Sequence, residues 1–307
     1  MKAFSSSLLL FAAAWVAPAA HAKLAVVATT PDLAAIATEV GGKEVRVTTL
    51  ARPTEDPHFV DARPSFIVKL RKADALLYNG AELEAGWLPP LIQSSRNRRI
   101  MPGAPGDLRG NEGIPMLEVP NTLDRSQGDI HPLGNPHYLV DPANAVILAR
   151  HLAGAFGRLD AKNAAAYQAN ADRFIATLEA RLKQWQARLA PYHGQAVVAY
   201  HNSWPYFARR FGLDIHLFLE PKPGIPPTPA HLARVIAQMK TLRARAILLC
   251  PYQNRRTADT VARATGATVV PVTQFPGGVN GAGPGYVEMM DYLVNHLASA
   301  LAKKTAQ

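Results

Sequence analysis

A chain of 307 residues with a formal net charge of +10 and one cysteine can form no internal disulfide. Its length exceeds a typical single core, so two domains are expected. The basic residues fall in short scattered clusters (Arg96, Arg98, Arg99; Arg209, Arg210; Arg255, Arg256) without interleaved aromatics, which argues for solubility and against a nucleic-acid partner.

The first stretch runs from Lys2 through an apolar segment, Leu8 to Val16, to the small-residue exit Ala20-His21-Ala22. That is the order of a cleavable secretory signal, with the cut expected after Ala22. The segment is shorter than the roughly 20 residues a membrane span needs. No cysteine follows the exit site, so a lipid anchor on cysteine is not expected and the mature chain is assigned to the periplasm. The sole cysteine, Cys250, lies in the apolar run AILLCP and reads as a buried, inert thiol.

Apolar, β-branched runs follow at Leu24–Thr29, Val45–Leu50 and Ala75–Tyr78, and again at Ala196–Tyr200, Ala246–Cys250 and Val269–Val272. Each leads into a polar turn and then a helical pattern, which predicts parallel sheets covered on both faces. Between the two groups, Asp160 to Pro191 reads as a helix with Leu178, Leu182, Trp185 and Leu189 on one stripe. About thirty helical residues would span about 45 Å; two shorter helices broken near Asp172 are the alternative. The expected organisation is a signal (1–22), an N-terminal lobe (23–142), a helical segment (143–193) and a C-terminal lobe (194–307). Phe275–Gly285 reads as a loop too glycine-rich to hold itself rigid, and it lacks the Gly-Lys-Ser/Thr ending of a phosphate cradle.

Three histidines stand out by position. His58 follows the strand ending at Leu50, His137 follows the run Met116–Val119, and His201 directly follows Ala196–Tyr200. Parallel sheets keep their ligands beyond the carboxyl ends of their strands. His58 and His137 each follow a proline, which restricts the chain just before an aimed side chain. Neutral imidazole suits Zn²⁺, and three imidazoles plus an oxygen form a tetrahedral set. Spacing alone does not assign them, because widely separated histidines have no diagnostic interval. His151, His231 and His296 are expected on solvated helix faces, with His193 and His216 near strand starts away from the cleft. His131, six residues before His137, could reach a metal in an open state.

At these residues the sequence resembles the metal-binding solute receptors of zinc and manganese ABC importers. Asp56-Pro57-His58, followed by Pro64-Ser65 and Lys72-Ala73-Asp74-Ala75-Leu76-Leu77-Tyr78-Asn79-Gly80, is similar to that family's first signature. Gly128-Asp129-Ile130-His131-Pro132-Leu133-Gly134-Asn135-Pro136-His137-Tyr138, with Asp141-Pro142 behind it, is similar to the second. His201-Asn202-Ser203-Trp204-Pro205-Tyr206-Phe207-Ala208-Arg209-Arg210-Phe211-Gly212-Leu213 is similar to the third. The resemblance implies an α/β fold of two parallel-sheet lobes joined by one long helix, with the metal in the interlobe cleft. It implies His58, His137 and His201 as ligands. It also implies a monomeric, non-enzymatic periplasmic receptor that passes Zn²⁺ to an inner-membrane ABC permease, with a periplasmic metallochaperone as a further partner. Manganese-preferring relatives commonly place a carboxylate at the third position, so His201 favours zinc over Mn²⁺, as nitrogen donors do on chemical grounds.

Two departures qualify the resemblance. The stretch Pro120–Gly128 is short and lacks the histidines of the metal-gathering loop found in many zinc members. Where the family carries a fourth, aspartate ligand, this chain has Gln274, which leaves water, Gln274 or another carboxylate for that position. Glu220 is the carboxylate offered by the sequence, with loop capping or pairing to Arg209 or Arg210 as its other roles. Asp56 and Glu55 are expected to cap or to orient His58. Two other functions use the same ingredients: a zinc hydrolase or lyase with an open three-histidine site, for which no paired His-Glu-x-x-His motif exists, and a surface adhesin on the same fold.

Overall fold

The computed structural model describes residues 22–121 and 131–303. The signal segment up to His21 and residues 122–128 of the short loop lie outside the described residues. The chain folds as two four-stranded parallel sheets. The first contains β1 (Leu24–Ala28), β2 (Val45–Thr49), β3 (Ala75–Tyr78) and β4 (Asp107–Arg109), in the order β2-β1-β3-β4. The second contains β5 (Ala196–Ala199), β6 (Asp214–Phe218), β7 (Ala246–Leu249) and β8 (Thr268–Pro271), in the order β6-β5-β7-β8. In both, the first strand of the set is central and its two crossovers leave in opposite directions, which opens a crevice at the carboxyl ends where ligands settle.

The sheets follow from composition. β1, β5 and β7 are short apolar runs buried along almost their whole length, as strands covered on both faces must be. The helix α1 (Pro31–Gly41) starts at a proline whose missing N–H costs nothing in a first turn. It buries Leu33, Ile36, Ala37 and Val40 at helical spacing against the sheet. On the opposite face of the first sheet, α2 (Pro64–Arg71) and α3 (Leu88–Ser95) close a smaller cluster around Phe66, Leu70, Leu76 and Leu91. In the second half, α6 (Pro205–Phe211) follows β5. The helices α7 (Pro229–Leu242) and α8 (Arg255–Thr265) cover Val198, Ile247 and Leu249.

The predicted long helix is α5 (Ala164–Leu189), unbroken at Asp172, with 26 residues and a length of about 39 Å. It packs against α4 (Pro142–Leu159) and buries Leu178, Trp185 and Leu189 on the expected stripe. Asn170 near its start donates to the Val40 carbonyl at 3.0 Å, and Trp185 near its end donates to Asp291 of α9 (Tyr286–Ala302) at 2.8 Å. One helix therefore joins the two lobes. The largest apolar cluster follows the same path, from Val26 and Leu77 in the first sheet through Phe156, Tyr167 and Phe174 to Leu248, Met290 and Leu297.

One local expectation is corrected: Met116–Val119, ahead of His137, forms no strand, while His216 lies in the edge strand Asp214–Phe218. The Leu117 N–H is instead satisfied by the Tyr206 hydroxyl at 2.9 Å, a side chain of the other lobe. At the glycine-rich loop, Thr273 and Phe275 bond each other, and Gly278 lies so close to the Pro53 carbonyl that a β-carbon would stand 2.8 Å from it. No helix among the described residues is long and apolar enough to cross a membrane.

Candidate metal centre

His58, His137 and His201 converge. One ring nitrogen from each lies within 4.8 Å of the others. The ring centroids are separated by 5.2 Å (His58–His137), 5.3 Å (His58–His201) and 5.4 Å (His137–His201), and the rings meet edge-on. His58 reaches the cluster from the loop after β2, and His201 from the carboxyl end of β5. His137 comes from the turn before α4, not from a strand end, since Met116–Val119 is no strand.

Two of the three rings are held by carboxylates that fix which nitrogen points inward. Asp56 Oδ1 lies 2.7 Å from His58 Nδ1 and also accepts the His58 backbone N–H at 3.0 Å. The proline ahead of His58 is pinned as well, because Trp87 Nε1 donates to the Pro57 carbonyl at 3.0 Å. Glu220 Oε2 lies 2.7 Å from His201 Nδ1. A carboxylate on Nδ1 leaves Nε2 as the donor for a metal and raises the ring's basicity. For His58 that nitrogen is buried with no hydrogen-bond partner among the described residues, and so is Nε2 of His137. Buried polar atoms without partners are rare, and a cation accepting both lone pairs accounts for these two.

Electrostatics point the same way. Burial, followed by the nearby His58 and His201, holds His137 well below the ordinary histidine range, so its ring is a neutral donor at neutral pH. Asp56 is partly desolvated, which works against its charge. The hydrogen bonds from His58 outweigh this, and the Asp56 carboxyl ends lower than usual. Asp56 and Glu220 thus place two carboxylates one bond behind the imidazoles, where they offset the charge of a divalent ion that neutral rings leave uncompensated. Asp56, His58, His201, Glu220 and Tyr252 line one cavity of about 250 Å³, while His137 and Gln274 face a smaller one.

The residues left open by the sequence find distinct places. Glu220 supports His201, and Arg210 instead binds Asp141 through two bonds of 2.7 and 3.0 Å. Gln274 is buried beside His137, with its amide donating to the Tyr252 hydroxyl at 3.0 Å. Cys250 lies behind it, its thiol pushed up to about 12 by burial, in keeping with an inert role. His131 lies closer than expected, its ring 5.2 Å from that of His58. Burial and then the neighbouring histidines drive it down to about 3. His193, His216 and His296 are exposed. His151 is not on a solvated face: its Nε2 is buried, 3.8 Å from Glu112.

A polar seam fixes the His137 turn to the other lobe, and sequence reasoning missed it. The Asn135 amide donates to Glu118 at 3.0 Å and to the Asn202 carbonyl at 2.9 Å, and Asn202 donates to the same Glu118 at 2.8 Å. Tyr206 donates to the Asn135 carbonyl at 2.8 Å. His137 and His201 are therefore spaced by direct bonds between their own neighbours.

Comparison with known proteins agrees with this architecture. The family model described as zinc-uptake complex component A, periplasmic (ZnuA), matches residues 26–300. The chain is 23% identical over 291 residues to the metal ABC transporter substrate-binding lipoprotein SloC of Streptococcus mutans, covering 92% of each chain. It is 23% identical to the iron ABC transporter substrate-binding lipoprotein MtsA of Streptococcus pyogenes, covering 92% of this chain and 90% of that one. Among solved structures, a crystal structure of ZnuA superposes with a TM-score of 0.77 at 22% identity, covering 91% of this chain and 99% of that one, which bears on the fold. The chain belongs to the ZnuA family, whose members are metal-binding receptors of ABC importers and not enzymes.

Proposed function

We propose that the protein captures Zn²⁺ through His58, His137 and His201 and presents it to an inner-membrane ABC permease. The observation that carries this reading is the pair of buried Nε2 atoms on His58 and His137, without hydrogen-bond partners among the described residues, in a cluster with a third imidazole whose nitrogen lies within 4.8 Å. Zinc is favoured because three nitrogen donors suit a borderline-soft tetrahedral ion, whereas Mn²⁺ prefers oxygen-rich octahedral sets. The iron named for MtsA belongs to a relative of 23% identity, too distant to decide the metal here.

In this reading residues 23–142 and 194–307 form the lobes on either side of the ion, and 143–193 link them. The receptor works as a monomer in the periplasm after cleavage following Ala22, and a metallochaperone is a compatible donor of the ion. The two relatives above are named lipoproteins, but here Lys23 follows the exit site and the sole cysteine is Cys250.

The test is the metal content of protein purified under native conditions, followed by competition between zinc and manganese. One zinc per chain is expected, removed by a strong chelator. Alanine at His58, His137 or His201 should weaken zinc binding by at least about ten-fold, while alanine at His296 should not. Manganese retained against equimolar zinc would overturn the zinc assignment.

A further inference from the structure

The proposed site has three imidazoles, whereas a zinc ion takes four ligands in a closed site. Among the oxygen donors nearby, one carboxylate oxygen of Asp56 is bonded to His58 Nδ1 and one of Glu220 to His201 Nδ1, while Gln274 spends its amide nitrogen on Tyr252. A fourth ring stands beside the cluster, outside the three whose nitrogens lie within 4.8 Å of one another. His131 stands 5.2 Å from His58 between centroids, the same spacing that His58 keeps from His137 and nearly that from His201. Its Nε2 is buried and has no hydrogen-bond partner among the described residues, as for His58 and His137.

The local chain explains how two histidines six residues apart reach one centre. In His131-Pro132-Leu133-Gly134-Asn135-Pro136-His137, the Gly134 N–H closes a turn onto the His131 carbonyl at 3.1 Å. Gly134 has φ +103°, and a β-carbon there would stand 2.8 Å from the Leu117 carbonyl, so only glycine fits. The Asn135 N–H is anchored to that same carbonyl at 2.8 Å. Two prolines stiffen the arms of the turn. His137 is thereby fixed against the other lobe, while His131 lies at the edge of the cluster beside His58.

We propose that His131 is the fourth ligand, closing an all-imidazole site in place of the carboxylate or water that Gln274 leaves missing. The inference rests on the zinc reading above. Four nitrogen donors and no oxygen select against Mn²⁺ and Fe²⁺ more strongly than three nitrogens and a water. A ligand at the edge of the cluster is also the one that can leave first when the ion is handed over.

The experiment uses the mature full chain loaded with Zn²⁺, and separately with Co²⁺ as a spectroscopic stand-in. X-ray absorption counts the imidazoles on zinc, and chelator competition gives the affinity of wild type, His131→Ala and His131→Gln. Four imidazoles are expected in wild type and three in both variants, with zinc affinity down at least about ten-fold and a shifted Co²⁺ visible spectrum. Melting of the metal-free proteins reports whether each variant folds, and the Gln variant serves if the Ala variant does not. Three imidazoles in wild type, or an affinity loss with the count unchanged, overturns the role of His131 and leaves the zinc reading standing. A wild type that binds no zinc, or whose zinc ignores His58, His137 and His201, sinks the zinc reading itself.

Discussion

Replacing Glu220 by glutamine tests whether a carboxylate behind an imidazole, and not on the ion, governs affinity. Glu220 Oε2 sits 2.7 Å from His201 Nδ1, and the two side chains are only 17% and 14% exposed, so water screens the contact weakly. Losing such a supporting partner costs 10–100-fold in metal affinity, or about 1.4–2.7 kcal/mol. Glutamine keeps an oxygen that can accept the Nδ1 proton, so its effect should lie near ten-fold. Alanine removes both the acceptor and the charge and should approach 100-fold. Chelator competition at fixed pH measures the affinity, and X-ray absorption on the zinc-loaded variants counts oxygen neighbours. A loss beyond about a thousand-fold, with one oxygen missing from the ion, would show that Glu220 is itself a ligand and refute the reasoning. An unchanged affinity in the alanine variant would refute it from the other side.

Other outcomes follow from neighbouring features. Gln274→Asp should tighten zinc binding about ten-fold by placing a negative charge beside His137. Gln274→Ala should leave affinity within about three-fold and cost about 1 kcal/mol of stability for the lost bond to Tyr252; abolished binding in the alanine variant would make the amide a ligand. Arg210→Ala should destabilise the fold by about 3 kcal/mol in chemical denaturation, because fully buried Asp141 loses its charge partner; a change under about 0.5 kcal/mol would contradict this. Glu84 is buried and its carboxyl is raised from 4.5 to about 7, mainly by desolvation, against bonds from Thr29, Asn79 and Gly80. A raised folded value means that the folded state keeps a proton the unfolded chain releases, so stability is greatest below about pH 4.5. It should fall by about 3 kcal/mol as pH rises to about 7. Glu84→Gln should flatten that slope in melts recorded between pH 5 and 8.

The legible parts of this molecule were those written in short contiguous stretches. The apolar strands at Val26, Val198 and Leu248, the stripe from Leu178 to Leu189, and the motifs around His58, His137 and His201 each declare themselves within 25 residues or fewer. What stayed hidden depends on groups distant in sequence. Met116–Val119 has the composition of a strand, but the Leu117 N–H goes to Tyr206, 89 positions away. Arg210 lies closer in sequence to Glu220, yet it bonds Asp141 across 69 residues and leaves Glu220 free for His201. β4 spans three residues and carries no periodicity to read. The approach of His131 to His58 depends on a turn whose one sequence signal is Gly134 between two prolines, and that signal does not say where the turn points.

The apolar cluster that runs from the first sheet through α4 and α5 into α9 has a consequence for how the receptor behaves as a whole. Because the largest of the three apolar clusters has members from both sheets, heat should take both sheets in a single cooperative step. An ion held where the sheets meet then strengthens every part of the molecule at once, by about 4 kcal/mol when free metal exceeds its dissociation constant a thousand-fold.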